Sequence, residues 1–247
     1  MSAPHSPLQN HLLAALPAAD LAWVAARLQP VSLRLGEILY EPGVPLQSAC
    51  FPTSATVSLH HVTESGKSAE VAGVGREGMV GMSLFMGGET ASGSATVQTA
   101  GYAYRLRADL LSEAFDRSAQ LRDLLLCYTN TLITQISQNA TCSRYHSVKH
   151  QLCRWLLLNL DRRPADDLVM TQEFITSILG LPSEQIGDVA LELQSAGFIR
   201  YRRSHIAVLD RVGLEGQACE CYVVGKREYR RILPLANGSR PIPLLSG

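Results

Sequence analysis

The glycines of this chain are unevenly distributed, and the distribution divides the chain into parts that must fold differently. Of its 19 glycines, 11 lie between Gly36 and Gly101, and none lies between Tyr102 and Leu179. Glycine suits turns and weakens the interior of a helix. The first stretch is therefore expected to be rich in turns and the second to be helical.

Apolar side chains alternate within and just before the glycine-rich stretch, which is typical of short strands. The alternating sets are Val31, Leu33 and Leu35, then Ala95, Val97 and Thr99, then Tyr102, Tyr104 and Leu106. Short strands separated by turns predict a β-sandwich or a jelly-roll barrel. Before them, helical spacing from Leu12 to Leu28 predicts one or two short leading helices broken at Pro17.

A long apolar stripe follows from Ser118 onward. Its members recur every three or four residues and are Leu121, Leu125, Tyr128, Leu132 and Ile136. The spacing predicts a helix of about seven turns, and another helical pattern covers residues 147–160. The stripe can pack on the β domain or on a second copy of the chain as a coiled-coil-like seam. We favour the seam, which makes these five residues the predicted dimer contact.

The most specific local pattern lies between Thr171 and Leu209. Thr171 can cap a helix that ends at Gly180, and Pro182 opens a second helix that ends at Gly197. Two short apolar runs then flank a polar turn. This order is that of a winged helix-turn-helix, whose second helix enters the major groove of double-stranded DNA.

That geometry assigns DNA contacts to the polar positions of the module. The second helix would present Ser183, Glu184, Gln185 and Asp188 to the base edges. The wing and the first helix would hold phosphates through Arg202, Arg203, Ser204, His205, Thr171 and Gln172. For any single residue the alternative is an ordinary solvated surface position.

The overall composition is that of an ordinary globular chain of two modest domains. Hydrophobic residues make up 46% and charged residues 18% of 247 residues, and no apolar run approaches the length of a membrane span. The first basic residue is Arg27, so a secretory signal is not expected and we predict a cytoplasmic protein that does not bind membranes. The net charge is zero, but residues 144–247 carry 14 Lys and Arg against 11 Asp and Glu.

Four segments, in their order along the chain, resemble the Crp/Fnr family of bacterial transcription regulators. They are residues 36–43 (GEILYEPG), 51–54 (FPTS), 75–81 (GREGMVG) and 171–174 (TQEF). The resemblance covers residues from about 10 to 231. It implies a cyclic-nucleotide-binding-type β-roll that senses a small-molecule effector, a dimer helix, and a DNA-binding domain that recognises a palindromic site, with RNA polymerase as a further partner.

We therefore predict an α+β chain in four parts. Residues 1–117 form a jelly-roll sensor domain with leading helices, and residues 118–146 form the dimerisation helix. Residues 147–233 form the winged helix-turn-helix, and residues 234–247 form a flexible tail. The predicted function is that of a homodimeric transcription regulator.

Two departures from the family pattern bear on the ligands. The resemblance places the effector pocket at Gly81, Met82, Ser83, Ser92 and Ser94, but no arginine lies between Arg76 and Arg105. A desolvated cyclic phosphate without a counter-charge is costly, so we do not expect cyclic AMP as the effector.

The second departure lies on the predicted recognition helix. It keeps Glu184 and Gly187 but has Ser183 and Asp188 where family members commonly carry arginine. Either Gln185 reads a different site, or the acidic helix docks a protein. The alternative function is therefore a dimeric signalling adaptor with a degenerate helix-turn-helix.

The remaining candidates for chemistry are weak. The six cysteines are interpreted as free thiols. Cys219-Glu220-Cys221 lacks a second pair or a nearby histidine at zinc spacing, and His60 and His61 would point to opposite faces of a strand. The iron-sulfur branch of the family uses a cluster of N-terminal cysteines, but the first cysteine of this chain is Cys50. No catalytic signature occurs in the sequence. We expect no metal, no cofactor and no enzymatic activity.

Overall fold

Two short α-helices lie on either side of Pro17, as the sequence predicts. The computed structural model describes residues 6–64, 68–88, 90–162, 169–202 and 205–230. Helix α1 covers His11–Ala14 and helix α2 covers Ala18–Ala25. The Asn10 side chain accepts from the N–H groups that open α1, and its amide donates to the carbonyls of Pro52 and Gly78 at 2.9 and 2.8 Å. This buried side chain ties the leading helices to the domain that follows.

Seven strands then form two antiparallel sheets. The strands are β1 (Gln29–Leu33), β2 (Ile38–Tyr40), β3 (Ser48–Pro52), β4 (Thr56–Val62), β5 (Ser68–Val74), β6 (Ser94–Thr99) and β7 (Gly101–Arg107). The strand orders are β1-β7-β3 and β2-β6-β4-β5. Leu33, Val57, Val74 and Val97 pack between the sheets. The predicted α+β class with an N-terminal β-roll is confirmed.

Three helices follow the roll. They are α3 (Ala108–Arg117), α4 (Ala119–Tyr145) and α5 (Val148–Arg162), of which the sequence analysis did not predict α3. Ser118 caps α4 by accepting from the N–H of Leu121 at 3.1 Å. No helix in the described part of the chain combines the length and the apolar character that a bilayer crossing requires.

The structure corrects the predicted dimer seam. Leu121, Leu125 and Tyr128 are buried among the leading helices and the roll, while Leu132 and Ile136 pack on the core between the sheets. The Tyr128 hydroxyl donates to the carbonyl of Met79 at 2.8 Å. The stripe thus packs on its own β domain, which was the other explanation of its spacing. Both explanations require the same periodicity, so periodicity could not separate them.

Within residues 169–230, the described part of the chain is a winged helix-turn-helix, as predicted. Its elements are β8 (Val169–Thr171), α6 (Gln172–Leu179), α7 (Ser183–Ser195), β9 (Ile199–Arg202), β10 (His205–Val208), α8 (Arg211–Glu215) and α9 (Glu220–Arg230). Strands β8, β10 and β9 form one antiparallel sheet in that order. Strand β8 and helices α8 and α9 were not predicted from the sequence. The predicted tail at residues 234–247 lies outside the described residues, and the domain boundaries stay predictions.

The two domains contact each other through buried polar groups as well as apolar ones. Helix α6 packs on β5, and α9 packs along α4. The Arg162 guanidinium, at the end of α5, donates to the Glu77 carboxylate at 3.2 Å, and both side chains are largely buried. A Cβ atom at Gly75 would lie 2.6 Å from the Cβ of Arg162. Glycine is therefore required where α5 meets the roll.

Candidate nucleic-acid interface

The apolar faces of α6 and α7 are buried as the sequence predicts. Ile175 and Ile178 of α6 join Ile186, Ala190 and Leu193 of α7 in one cluster with α5 and the wing. Gly180 ends α6 with φ +64°, a left-handed conformation that glycine adopts without strain. The helix pair is therefore held by a core that comes almost entirely from its own part of the chain.

Burial of that face leaves the polar face of α7 in solvent. Ser183, Glu184, Gln185 and Asp188 are all exposed, and the first three form the first turn of the helix. The N-terminal turn is the part of a recognition helix that meets base edges. Base contact by these four residues remains a prediction, and the structure leaves their side chains accessible for it.

Gln172 links three elements of the module. Its side-chain amide donates to the carbonyl of Ser183 at 2.7 Å and to the Ser183 hydroxyl at 3.1 Å, and its oxygen accepts from the Tyr201 hydroxyl. A Cβ atom added at Gly187 would lie 3.2 Å from the same amide nitrogen. Gln172 therefore positions the start of α7 relative to the wing, whether or not it also contacts phosphate.

Thr171 has a structural role at the start of α6. Its hydroxyl accepts from the N–H of Phe174 at 3.2 Å, which is the N-cap predicted from the sequence. Its side chain is exposed. The cap holds the first turn of α6 beside the predicted phosphate-binding surface.

The wing presents basic side chains next to α7. Arg202 ends β9 and His205 begins β10, and both are exposed, whereas Arg203 and Ser204 lie outside the described residues. Arg200 is also exposed and was not singled out from the sequence. Its position two residues before Arg202 could have identified it, since alternate residues of a strand share a face.

The charges on the two surfaces differ in sign. Helix α7 carries Glu184, Asp188 and Glu192, and the last of these accepts from the Lys149 ammonium at 2.8 Å. Leu191 is 52% exposed beside them. Phosphate contact is therefore expected from the wing. The acidic side chains of α7 are repelled by DNA phosphates, so this helix is expected to contact bases and not the backbone.

An open cavity of about 260 Å³ lies between the four-stranded sheet and α6. Its polar lining includes Ser58, His60, Ser68, Ser94, Thr96, Gln98 and Ser177, and no lysine or arginine is among the described residues that line it. Burial lowers the pKa of His60, although the Glu70 carboxylate acts in the opposite direction. The lining therefore offers hydroxyl and amide groups and little positive charge at neutral pH.

The five predicted effector residues have different surroundings. Ser94 lines this cavity, and Met82 packs on the core between the sheets. Gly81 has φ +103° and precedes the 3₁₀ turn that holds Ser83, while Ser92 is exposed. Of the five, Ser94 is the residue that lines the cavity bordered by α6.

A second cavity of similar volume lies between β5, α4, α5 and α6. Arg154 and Arg162 line it, and the Nε atom of Arg154 is buried without a hydrogen-bond partner. Ile178 of α6 lines both cavities. A small molecule in either one would therefore touch the helix-turn-helix.

Four potential metal ligands that the sequence analysis kept apart come together at the end of α4. Cys142, His146, Cys219 and Cys221 each offer one ligand atom, and these atoms all lie within 4.8 Å of one another. Burial raises the pKa of the Cys221 thiol to about 12 and also raises that of Cys142, against the opposing charge of Arg154. The sequence signal was present in the i, i+4 spacing of Cys142 and His146, but nothing local joined that pair to the distant Cys-x-Cys.

Comparison with protein families identifies both domains. Residues 30–118 match the cyclic nucleotide-binding domain, and residues 150–216 match the Crp-like helix-turn-helix domain. No curated protein matches the chain.

Solved structures share the fold along most of the chain at low sequence identity. A transcriptional regulator of the Crp/Fnr family from Eubacterium rectale is 17% identical with a TM-score of 0.65, covering 86% of this chain and 97% of its own. A Crp/Fnr regulator from Thermus thermophilus is 22% identical with a TM-score of 0.61, covering 77% and 98%. The c-di-GMP-responsive global regulator CLP of Xanthomonas campestris is 17% identical with a TM-score of 0.60, covering 78% and 99%. At these identities the similarity shows the fold alone.

Proposed function

The chain belongs to the Crp/Fnr family, whose members are transcription regulators and not enzymes, and on this premise we propose that it is a homodimer that binds a palindromic DNA site. The observation that carries the proposal is the exposed first turn of α7 beside the exposed arginines of the wing. The helix supplies groups for bases, and the wing supplies charge for phosphates. RNA polymerase is the further partner that the family implies.

Base reading in this protein would depend on polar groups other than arginine. Gln185 can form a bidentate pair with adenine, and Glu184 can accept from the amino group of cytosine. Gln172 holds Ser183 by two hydrogen bonds, which supports a defined orientation of the first turn. We expect a half-site that differs from one read by arginine.

We propose that the dimer seam lies on the exposed face of α4. Leu126 and Ile133 are each 49% exposed and lie seven residues apart. The exposed positions Asp123, Leu126, Asn130, Ile133, Ser137 and Ala140 alternate in steps of three and four. This is the spacing of a coiled coil, with a second copy of this chain as its occupant. Two recognition helices held in this way would fit half-sites about 34 Å apart.

We propose that the effector acts through α6. The cavity lined by Ser94 and Ser58 is closed on its other side by Phe174, Ser177 and Ile178 of that helix. A ligand that prefers one position of α6 shifts the dimer between two arrangements in proportion to its differential affinity. The lack of a cation among the described lining residues argues against cyclic AMP at this cavity. Arg105 does not line it and pairs with Glu37 at 3.3 Å.

The experiment that tests the function is selection of duplexes from a randomised DNA pool by the full-length protein, followed by sequencing. An enriched two-fold symmetric motif with half-sites one helical turn apart is the expected result. If no motif is enriched, with or without a small-molecule extract as a ligand source, the regulator proposal fails.

The wing assignment has its own test on the selected site. Replacing Arg202 by Ala should reduce the slope of log K against log salt by about 2 for a dimer, one phosphate contact per chain. Arg34→Ala is the matched control, since Arg34 is an exposed arginine on the roll. Equal slopes for the two variants would remove Arg202 from the DNA surface.

One observation favours the adaptor as a second candidate. Leu191 is exposed on α7 amid Glu184, Asp188 and Glu192, and an apolar side chain ringed by acids suits a basic protein partner better than DNA. The adaptor predicts no salt-sensitive DNA binding. It also predicts that Leu191→Ala weakens partner binding, whereas a regulator that binds only DNA should tolerate this change.

A further inference from the structure

We propose that Cys142, His146, Cys219 and Cys221 form a structural zinc site that fastens α9 to the end of α4. This inference goes beyond the proposed function and does not depend on it. Cys142 lies in the last turn of α4, and His146 caps the end of that helix with its N–H donating to the carbonyl of Cys142 at 3.0 Å, so the two side chains share a face. Cys219 and Cys221 flank Glu220, the first residue of α9.

The spacing of the ligand atoms suits a tetrahedral ion. Cys142 Sγ lies 3.6 Å from Cys219 Sγ, and Cys221 Sγ lies 3.6 Å from His146 Nδ1. A tetrahedron with Zn–S bonds of about 2.3 Å has S–S edges of about 3.8 Å. All four ligand atoms lie within 4.8 Å of one another, so small side-chain rotations bring each of them to bonding distance from one central ion. Four protein ligands leave no open position, which is the arrangement of structural zinc.

The histidine is already oriented for metal binding. Its Nδ1 faces the sulfur of Cys221, and its Nε2 lies 3.2 Å from the Glu220 carboxylate. A histidine that binds metal usually donates its other ring N–H to a carboxylate, which sets the tautomer and raises the basicity of the ligating nitrogen. Glu220 is therefore a positioning residue for His146.

The surroundings also balance the charge of the site. Three thiolates and one Zn²⁺ carry a net charge of about −1. Arg154 is buried beside Cys142, and its Nε atom has no hydrogen-bond partner. A buried guanidinium next to a site with one excess negative charge is stabilised by it.

A disulfide explains the cluster less well. Cys142 Sγ and Cys219 Sγ are 3.6 Å apart, whereas a disulfide bond is about 2.05 Å long. Any pairing of two cysteines would leave the third buried beside a histidine without a role. Three cysteines and one histidine are a complete ligand set for zinc, which soft thiolate and imidazole ligands select.

The test is the metal content of the full-length protein, purified under reducing conditions without an affinity tag. About one zinc per chain is expected by plasma mass spectrometry. After chelation and refilling with Co²⁺, the visible bands of tetrahedral cobalt and a thiolate-to-cobalt charge-transfer band in the near ultraviolet are expected. Less than about 0.2 zinc per chain together with no charge-transfer band would overturn the proposal, as would a Cys142–Cys219 disulfide that persists in place of metal.

Variants separate ligation from folding. Cys219→Ser should lose the metal, whereas Cys127→Ser, a matched change on α4 outside the cluster, should keep it. Glu220→Gln should lower zinc affinity about 10-fold to 100-fold while keeping the stoichiometry at saturation. If Cys219→Ser binds zinc as tightly as the Cys127→Ser control, the assignment is wrong.

Hydrogen exchange on the unmodified chain provides a readout that does not need a variant. Chelation should reduce protection in α9 and in the last turn of α4, and leave β4 and β6 unchanged. Protection that is identical with and without the chelator in all these segments would contradict a structural role for the ion.

Discussion

Helices α4 and α7 each bury an apolar stripe, but they bury it in different ways. The stripe of α7 enters one cluster whose members lie between Val148 and Tyr222. The stripe of α4 enters two clusters that draw on residues from Leu12 to Tyr229. For a helix that packs within its own module, residues nearby in the sequence determine which face is buried. For a helix that packs on several parts of the chain, the whole fold determines which segments cover each face.

The buried ion pair between the roll and the end of α5 should have the largest effect on stability. Glu77→Gln leaves the buried Arg162 guanidinium without its counter-charge and should lower the free energy of unfolding by about 3–5 kcal/mol. Glu37→Gln is the control, because the Glu37–Arg105 pair is 32% and 37% exposed, against 12% and 4% for Glu77 and Arg162. Its cost should stay below about 1 kcal/mol. Urea unfolding measures both, and equal losses would mean that the buried pair does not join the domains.

Substitutions at two adjacent residues of α4 should distinguish the role of its buried face from that of its exposed face. Leu132→Ala removes a buried side chain from the core between the sheets and should cost about 2–5 kcal/mol of folding stability. Ile133→Ala changes an exposed side chain of the proposed seam and should instead raise the dimer dissociation constant about tenfold.

Urea unfolding at a fixed protein concentration and sedimentation velocity distinguish these two effects. A dimer weakened by Leu132→Ala and untouched by Ile133→Ala would restore the seam that the sequence alone suggested.

A cap in the helix-turn-helix should have a smaller and more local effect. Thr171→Ala removes the acceptor for the N–H of Phe174 and should cost about 1 kcal/mol. Hydrogen exchange should show lost protection in α6 and none in α4. Ser177→Ala, at an exposed position of α6, is the control. Loss of protection that spreads into α4 would show that the helix-turn-helix does not fold as a self-contained unit.

The smallest expected effect concerns pH. Burial lowers the pKa of His60 from its usual 6.5, so the unfolded chain takes up this proton at a higher pH than the native one. Stability is therefore expected to fall as the pH drops below about 6.5, and His60→Gln should reduce that fall. The difference should stay below about 1 kcal/mol because the side chain is only half buried.

The control for the pH effect is His61→Gln, which changes the exposed neighbouring residue. Unfolding at a series of pH values between 5 and 8 measures the slope. An identical slope for the His60 variant and the wild type would exclude a contribution from this group.

Local chemistry made the helix-turn-helix predictable. The Thr171 cap, the left-handed Gly180 and the alternating wing strands are decided by residues a few positions apart. The same sequence did not indicate α8, α9 or the third wing strand β8. Strand β8 has three residues and helix α8 has five, and β8 is held by pairing with β10.

The candidate sites divide along the same line. The exposed face of α7 follows from its buried face, so Ser183 and Gln185 could be named in advance. Arg154, His146 and Cys142 could not, because their partners lie on other elements. The prediction of no metal site rested on spacing within one segment, and a site assembled from two distant segments escapes that criterion.

The sequence by itself determined the order of the elements, the alternation of the strands and the helical periodicity, since each depends on side chains within one or two turns. Only the tertiary structure decided which face of α4 packs on the roll and which glycines leave space for the Arg162 side chain. It alone also brought Cys142 and His146 next to Cys219 and Cys221. Periodicity specifies that a face is buried, but its partner is specified by close packing among segments that are far apart in the chain.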